Sequence, residues 1–229
     1  MRSLFTSVSI VPGELSRDEI LVIAGDLASL EGIPLSHAES RRAQSMTSVE
    51  ARLRFTAARR ILRSVISSWI GVSPLDLEIV PDENGKPRLE PSEDVHFSIS
   101  HTSDYIAVAF SRSAVGLDLE RMRQVDAMAL ASRFFSPEEA LAVRESGEID
   151  LFFKLWTCRE AAIKADGRGL SNLMDSTRVL AGKDADDAGV EILIGSDRWQ
   201  GMHWMMDEHC HGALAFREEP SQISWCDIR

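Results

Sequence analysis

Apolar residues recur at helical spacing between Phe152 and Leu170, a stretch that reads FFKLWTCREAAIKADGRGL. The positions that would share the core-facing side of this helix are Leu151, Phe152, Leu155 and Ile163. Glu160 and Lys164 are four residues apart, so they lie on one face about one turn apart, and Gly167 supplies a stop. The pattern predicts a helix that carries a carboxylate and an ammonium group on one side. Taken alone, that pair is equally typical of a surface ion pair.

A strict alternation of apolar and polar positions marks Val115–Glu120, which reads VGLDLE. The alternation predicts a strand with Gly116, Asp118 and Glu120 on one face. Two carboxylates that share a face repel each other unless a cation lies between them. The alternative is an exposed strand face with two solvated acids.

Two further stretches place polar residues at the ends of predicted strands. Val95–Ser111 contains a strand marked by Ile106, Val108 and Phe110, and the polar Ser98, Ser100 and His101 precede a turn at 102–104. In Gly85-Lys86-Pro87, glycine permits a turn and proline fixes the exit, which holds Lys86 on an ordered corner.

The rest of the pattern predicts a mixed chain of helices and strands. Ser16 with Glu19 has the capping-box spacing that starts a helix, which we expect to run to Leu30. A second helix follows Ser36, and Thr47 with Glu50 predicts the start of a third, over Ala51–Ile70. Another helix is expected to begin at Ser136, where Pro137 and Glu139 complete the signal.

Short apolar runs predict the strands. They lie at residues 3–11, 75–80, 97–110 as a hairpin, 176–180, 190–194 and 212–216. The hairpin is expected to pair with the strand at 75–80. The acidic stretch at 182–189, GKDADDAG, is expected to form a turn or loop.

Composition limits the classes of function that need to be considered. The chain has 229 residues and a formal net charge of −11, which argues against general binding to nucleic acid. No apolar run approaches the roughly 20 residues that span a membrane, and the first residues lack the apolar core of a signal peptide. The three cysteines show no metal-ligand spacing and fit a reducing compartment. These features predict a cytoplasmic protein that binds neither membrane nor nucleic acid.

Arginine is concentrated in one segment of this acidic chain. Within residues 41–63 a single acid, Glu50, faces seven arginines: Arg41, Arg42, Arg52, Arg54, Arg59, Arg60 and Arg63. Such a run is consistent with a solvated helix face. It is equally consistent with an anion site, because the guanidinium fork matches phosphate geometry.

Four motifs, taken in order, resemble the 4'-phosphopantetheinyl transferases of the longer, monomeric type, which activates peptide and polyketide synthetases. They are GKP at 85–87, FSISHT at 97–102, VGLDLE at 115–120 and WTCREAAIK at 156–164. The resemblance is strong from about Arg52 to Leu170. This chain has Arg159 where the family usually has lysine.

The resemblance implies an α+β fold made of two similar α+β halves related by a pseudo-twofold axis. The expected halves are residues 1–112, which would bind the phosphates of coenzyme A, and residues 113–229, which would carry the metal site and the catalytic helix. The seam falls at Ser111–Ser113. A monomer is expected, because the longer members hold both halves in one chain.

The resemblance also implies the reaction. The 4'-phosphopantetheine group of coenzyme A, the co-substrate, passes to a serine of an apo acyl or peptidyl carrier protein, and adenosine 3',5'-bisphosphate is released. Mg²⁺ is the expected cofactor, with Mn²⁺ as an alternative, because it accepts carboxylate and phosphate oxygens. Its expected ligands are Asp118, Glu120 and Glu160. The length of the chain fits the longer type of the family, so the resemblance favours a role in secondary metabolism.

Individual roles follow from the same resemblance. The expected catalytic residues are Glu160 as the base, directly or through a metal-bound water, Lys164 against the phosphate under attack, and His101 as a donor to the pyrophosphate. The residues expected to bind coenzyme A are Arg54, Lys86, Ser100, His101 and Lys164. Arg42 and Arg59 are alternatives to Arg54 for the adenosine 3'-phosphate.

Exposed apolar residues within 122–135 are candidates for the surface that binds the carrier protein, because an exposed apolar patch usually marks a partner site. Phe134 and Phe135 are equally suited to the core. Two other functions fit the same motifs: a metal-dependent phosphodiesterase that hydrolyses coenzyme A-like pyrophosphates, and a regulator that binds coenzyme A or a carrier without turnover.

Overall fold

The computed structural model describes residues 15–26, 33–83, 85–91, 94–103, 105–169, 173–180 and 189–228. The chain divides into two compact units of mixed α and β structure. Unit 1 comprises Met1–Ser113 and Pro220–Arg229, and unit 2 comprises Ala114–Glu219. Within the described ranges, no helix is both long and apolar enough to cross a membrane.

Unit 1 is built on a four-stranded sheet with the order β11-β1-β5-β4. Its strands are β1 (Glu19–Asp26), β4 (His96–Thr102), β5 (Tyr105–Ser111) and β11 (Gln222–Ile228). β1 pairs in parallel with β11 and antiparallel with β5, which forms the predicted hairpin with β4. Because β11 pairs with β1, Pro220–Arg229 belong to unit 1. The two compact units therefore differ from the predicted halves 1–112 and 113–229.

The helix expected over Ser16–Leu30 is wrong, because the chain forms strand β1 there. The backbone N–H of Ser16 does donate to the Glu19 carboxylate over 3.2 Å, as a capping box would require. This contact closes a turn that leads into the strand. Residues Ile20–Ala24 are all at most 4% exposed, which suits a central strand covered on both faces.

Helix α2 (Val49–Ile70) packs against this sheet, and helix α1 (His37–Ser45) packs against α2. α1 begins with a full capping box between Ser36 and Glu39. α2 is confirmed, although its N-cap is Ser48 rather than Thr47, and it ends at Gly71 in the left-handed conformation. The fully buried Leu62 and Ile66 of α2 join the core of unit 1, and each contributes about 2 kcal/mol of apolar burial.

A separate two-stranded hairpin completes unit 1. It consists of β2 (Glu78–Pro81) and β3 (Pro87–Glu90). The expectation that the strand at 75–80 pairs with the β4–β5 hairpin is wrong, because β2 pairs with β3. Gly85 takes a φ of 82° in the turn between them, which only glycine adopts without strain.

Unit 2 is built on a five-stranded antiparallel sheet with the order β6-β10-β9-β8-β7. Its strands are β6 (Val115–Arg121), β7 (Thr177–Leu180), β8 (Gly189–Ile194), β9 (Asp197–Asp207) and β10 (Cys210–Phe216). Four of these strands confirm predictions, and the pattern did not predict β9. The predicted strand at 3–11 and the loop residues 182–188 lie outside the described residues.

Three helices belong to unit 2. They are α3 (Ala127–Phe134), α4 (Pro137–Ser146) and α5 (Ile149–Asp166), and a short 3₁₀ helix lies at Met174–Ser176. The helix start at Ser136 is confirmed, with its capping box and Pro137 at the first position. The predicted helix over Phe152–Leu170 is α5, which begins three residues earlier and ends before Gly167 at a φ of 84°.

Candidate active site

Strand β6 and helix α5 approach each other closely at Gly116. A Cβ atom added to Gly116 would lie 1.9 Å from the carbonyl oxygen of Ala161 and 2.5 Å from the amide nitrogen of Ala165. The face of β6 that contains Gly116 is therefore turned toward α5. Asp118 and Glu120 follow on that face at two-residue intervals. The polar side of the strand thus meets the helix that carries Glu160 and Lys164.

Lys164 and Asp118 form an ion pair between the helix and the strand. The ammonium Nζ of Lys164 donates to Oδ1 of Asp118 over 2.6 Å. Asp118 is only 4% exposed, whereas the Lys164 side chain is 24% exposed. A buried carboxylate with a charged donor at this distance is strongly held, since charge-assisted hydrogen bonds are among the stronger ones in proteins.

The acids of this cluster crowd one another. Burial, followed by the charges of Asp118 and Glu120, raises the pKa of Glu160 to about 7, although Lys164 acts in the opposite direction. Burial and then the charge of Asp118 also raise the pKa of Glu120. Arg123 offsets part of this effect, because its Nη1 donates to Glu120 Oε2 over 2.6 Å.

The chemistry of the three carboxylates fits a hard divalent cation. Among the described residues, no three His, Cys, Asp or Glu side chains form a ready-made metal group. The donor set is nevertheless the oxygen set that Mg²⁺ and Mn²⁺ accept. Burial is the main cause of the raised pKa of Glu160, and the charges of Asp118 and Glu120 add to it, so part of the shift reflects a repulsion between acids that a bound cation would relieve.

Arg159 is buried next to Glu160 and anchors α5. It is 0% exposed, and its guanidinium donates to the Glu139 carboxylate and to the Thr177 carbonyl. The second oxygen of Glu139 accepts from the backbone N–H of Val179 over 2.8 Å. The guanidinium also lies 4.4 Å from the centre of the Phe135 ring. The planar fork of arginine can reach both partners at once, which a lysine cannot do.

Unit 1 contains a pocket of about 660 Å³ between α1, α2, the β2–β3 hairpin and β4. Three arginines and one histidine of the predicted set line it: Arg42, Arg54, Arg59 and His101. Gly85 and Pro87 of the GKP motif line it as well. The structure therefore brings three separate basic or motif segments to one concave surface, and its charge suits an anion.

The arginines of the pocket are held in different ways. The Nη2 of Arg54 donates to the Ser103 carbonyl over 3.1 Å, and Arg54 lies 3.8 Å from Glu50. The guanidinium groups of Arg42 and Arg59 lie 5.7 and 5.3 Å from the centre of the Phe55 ring. An aromatic ring that contacts two cations keeps them apart and orients them.

Two further residues of unit 1 that are expected to bind coenzyme A, Lys86 and Ser100, lie near this pocket without lining it, whereas Lys164 belongs to unit 2. Lys86 is half-buried in the turn between β2 and β3, where its backbone N–H donates to Asp82 over 2.8 Å. Ser100 is 5% exposed and lies on the opposite face of β4 from His101, because neighbouring strand residues alternate.

The candidate carrier segment at 122–135 contains both exposed and core residues. Met128 on α3 is 45% exposed. Phe135 is 8% exposed and stacks on Phe152 with ring centres 5.4 Å apart, and Phe134 contacts Trp156 edge to face. The two phenylalanines therefore belong to the core of unit 2.

The sequence analysis missed three residues that shape these sites. Phe55 contacts two pocket arginines, Glu39 is a buried acid in the pocket wall, and Arg123 binds Glu120. The spacing of Phe55 and Arg59, four residues apart in one helix, is a signal that could have indicated the first contact. Nothing in the pattern shows that Glu39 is buried.

Comparisons with known proteins show which family the chain belongs to. The family model of the 4'-phosphopantetheinyl transferase superfamily matches residues 114–214, which contain β6 and α5. The chain is 33% identical over 190 residues to 4'-phosphopantetheinyl transferase HetI of Nostoc sp., covering 79% of this chain and 78% of the relative. It is 35% identical over 166 residues to 4'-phosphopantetheinyl transferase Sfp of Bacillus subtilis, covering 66% and 74%.

The chain belongs to the 4'-phosphopantetheinyl transferase superfamily, and within it to the type represented by Sfp and HetI.

Proposed function

We propose that this protein transfers the 4'-phosphopantetheine group of coenzyme A to a serine hydroxyl of an apo acyl or peptidyl carrier protein. The products are the holo-carrier and adenosine 3',5'-bisphosphate. The observation that carries the proposal is the cluster of Asp118, Glu120 and Glu160 around Lys164, on a strand and a helix packed together at Gly116. It lies within the residues that match the superfamily.

The bond changes in this reaction define what the residues must do. The serine oxygen forms a bond to the phosphorus next to pantetheine, and the bond from that phosphorus to the bridging oxygen of the pyrophosphate breaks. The leaving group keeps the bridging oxygen and becomes the 5'-phosphate of adenosine 3',5'-bisphosphate. Catalysis of such a transfer is mostly a matter of position and of neutralised charge.

Glu160 accepts the serine proton in this proposal. A carboxylate whose pKa is raised to about 7 is a stronger base than an ordinary one, and about half of it is ionised at neutral pH. Lys164 offsets the charge that builds up on the phosphate under attack. To do so its ammonium group exchanges Asp118 for a phosphate oxygen, which its partly exposed side chain allows.

Asp118, Glu120 and Glu160 would hold Mg²⁺ or Mn²⁺. Such an ion supplies charge neutralisation to the pyrophosphate when bound. The protein provides the oxygen donors and keeps them crowded together through the packing of β6 on α5.

The pocket of unit 1 is proposed to bind the adenosine 3'-phosphate end of coenzyme A. Its three arginines support this assignment, because guanidinium groups bind phosphate in a bidentate manner. Arg54 is the proposed main contact, and Arg42 and Arg59 lie on the same wall. His101 and Lys86 are proposed to contact the other phosphates of coenzyme A. Ser100 remains a proposed contact, although its side lies opposite that of His101.

The finer architecture remains a proposal. Units 1 and 2 are proposed to be the two halves that the resemblance implies, and their relation by a pseudo-twofold axis stays a prediction. The protein is proposed to be a monomer, because the longer members of the family carry both halves in one chain. It is also proposed to act in the cytoplasm and in secondary metabolism.

The test is a transfer assay read by intact mass. Several apo carrier proteins are incubated with coenzyme A, Mg²⁺ and the full chain, and each carrier is weighed. We expect a mass gain of one phosphopantetheine group that disappears with EDTA. Asp118→Asn should abolish the gain, whereas Glu145→Gln, which changes an exposed acid of α4, should not.

Each other outcome points to a different function. Cleavage of coenzyme A without any modified carrier would favour the phosphodiesterase. Binding of coenzyme A that ignores Mg²⁺, with neither transfer nor cleavage on any carrier, would favour the regulator. Normal transfer by Asp118→Asn would disprove the metal and catalytic assignment.

A further inference from the structure

A buried acid lies in the wall of the cationic pocket of unit 1. Glu39 of α1 is 6% exposed and lines the pocket beside the arginines. Its carboxylate accepts from Arg63 Nε over 2.7 Å and from the backbone N–H of Ser36 over 2.9 Å. Burial raises the pKa of Glu39, but these two hydrogen bonds and the charges of Arg63 and Arg59 lower it further. Glu39 is therefore an ionised group in a site that suits anions.

One partner of Glu39 has a structural role. Arg63 is 2% exposed, and its Nη1 donates to the Pro74 carbonyl and, over 3.1 Å, to the Leu77 carbonyl. Arg63 is absent from the lining of the pocket. It therefore fixes the loop after α2 to the helix, and its contact with Glu39 holds one carboxylate oxygen in place.

The other oxygen of Glu39 faces Arg59, which does line the pocket. The distance from Arg59 Nε to Glu39 Oε1 is 3.7 Å. The contact with the acid is made through Nε and not through Nη1. Nη1 of Arg59 is buried and has no hydrogen-bond partner within the described residues. A buried donor without a partner is costly, which suggests that a ligand completes it.

Arg59 also lies among other cations. Burial lowers its pKa first, the charge of Glu39 raises it, and the charges of Arg63 and Arg42 lower it. The Phe55 ring, 5.3 Å away, limits where the guanidinium can move. The negative charge of Glu39 therefore offsets part of the repulsion among these arginines.

We propose that Glu39 is a positioning residue of the pocket: it orients Arg59 through Nε, leaves Nη1 available to a phosphate oxygen, and so strengthens the preference for nucleotides that carry a 3'-phosphate. This inference rests on the proposed function, because it requires that the pocket of unit 1 receive the adenosine end of coenzyme A. Glu39 itself does not touch the ligand. Its carboxylate acts through Arg59.

A purely structural role for Glu39 makes a different prediction. Glu39 also completes the capping box of α1 and pairs with the buried Arg63. If that were all, its loss would lower stability and weaken every ligand equally. A positioning role lowers the affinity only for ligands with the 3'-phosphate. The ratio of affinities for coenzyme A and 3'-dephospho-coenzyme A separates the two roles.

The experiment measures that ratio by calorimetry on the full chain. The wild type should bind coenzyme A more tightly than its 3'-dephospho form. Glu39→Gln keeps the capping-box geometry and removes the charge, and we expect the ratio to fall about tenfold, the size of one charge-assisted hydrogen bond. The matched control is Glu50→Gln, because the Glu50 side chain is 79% exposed and 3.8 Å from Arg54. It should leave the ratio unchanged.

A second variant shows whether Glu39 acts through Arg59. Arg59→Ala should by itself lower the ratio at least as far as Glu39→Gln does, and adding Glu39→Gln to it should change the ratio no further. A ratio unchanged or raised in Glu39→Gln overturns the proposal, and so does a further loss in the double variant. If Glu39→Gln fails to fold, Arg59→Ala decides: a preference kept at the wild-type level overturns the proposal.

Failure of the inference differs from failure of the proposed function. A wild type that transfers phosphopantetheine but binds both nucleotides equally would overturn the inference and leave the function intact. A wild type that neither binds coenzyme A nor modifies a carrier would overturn both.

Discussion

Lys164 on α5 donates to Asp118 on β6 over 2.6 Å, and this ion pair ties the helix to the strand. Glu160 lies one turn earlier on the same helix, with its pKa raised to about 7 by burial and by the neighbouring acids. Lys164, whose positive charge offsets these acids, is therefore bound to Asp118. A site built in this way has its charges in place before substrate arrives, which reduces the rearrangement that the reaction requires.

Replacing Lys164 should reduce transfer far more than it reduces binding. Lys164→Ala removes the ammonium group that the proposal sets against the phosphate, and we expect a loss of about 100-fold in kcat for holo-carrier formation. The control is Lys154→Ala, which removes a half-buried lysine of the same helix. Intact mass of the carrier over time gives both rates. A loss of less than threefold in Lys164→Ala would contradict the role.

Gly116 should tolerate no side chain. Gly116→Ala would place a Cβ 1.9 Å from the Ala161 carbonyl oxygen and force β6 and α5 apart. We expect the free energy of unfolding to fall by about 3 kcal/mol and transfer to be lost with it, because both elements carry the acid cluster. Gly189→Ala in β8 is the control, since no atom lies within 4 Å of the added Cβ. Urea unfolding measures the stability of both variants, and equal values would refute the packing argument.

Replacing the buried Arg159 should lower the free energy of unfolding more than replacing an exposed arginine does. Arg159→Ala would leave the buried Glu139 carboxylate without its guanidinium partner, and we expect a loss of about 3–5 kcal/mol. Arg159→Lys keeps the charge but cannot bridge Glu139 and the Thr177 carbonyl together, so a smaller loss of about 1.5–3 kcal/mol is expected. The exposed Arg144→Ala of α4 is the control in the same urea series. A wild-type midpoint for Arg159→Lys would show that the second contact is unimportant.

His203 should make the fold sensitive to acid. It hydrogen-bonds to His211 at 3.0 Å, and burial, followed by the charges of His211 and Lys154, lowers its pKa from 6.5 to about 3. Between those values the unfolded chain binds a proton that the folded chain does not. The stability that His203 contributes is therefore complete above pH 6.5 and is lost as the pH falls toward 3, at a slope of up to about 1.4 kcal/mol per pH unit.

The measurement for His203 is urea unfolding at a series of pH values. His203→Gln should show a shallower fall in stability than the wild type between pH 6 and pH 4.5. His37→Gln, which replaces an exposed histidine of α1, should follow the wild type. Identical slopes for wild type and His203→Gln would remove His203 as the cause.

Local patterns were sufficient to predict the elements that carry the acid cluster. The alternation of Val115–Glu120 and the helical spacing around Glu160 and Lys164 gave β6 and α5, because each pattern has a single period over its whole length. The motifs then pointed to the polar residues on those elements. Their roles remain predictions.

Elements whose structure depends on distant residues could not be predicted from local patterns. The capping-box spacing of Ser16 and Glu19 suggested a helix, but such a pair also closes a turn, and the apolar run after it fits a strand covered on both faces. Pairing with β5 and β11 decides between them. The charge of Glu39 in the pocket wall depends in the same way on Arg63, which lies 24 positions further along the chain.

The parallel pairing of β1 with β11 affects the order of events during synthesis. Ile20 pairs with Ile223, so synthesis must pass residue 223 before β1 can pair with β11. Until then β1 has β5 on one side only, and its other edge is open. Unit 2, whose strands all lie within Ala114–Glu219, has no such delay. We therefore expect the later-made unit to reach its complete sheet first, and a nascent chain halted before residue 220 to expose a pairing edge to chaperones.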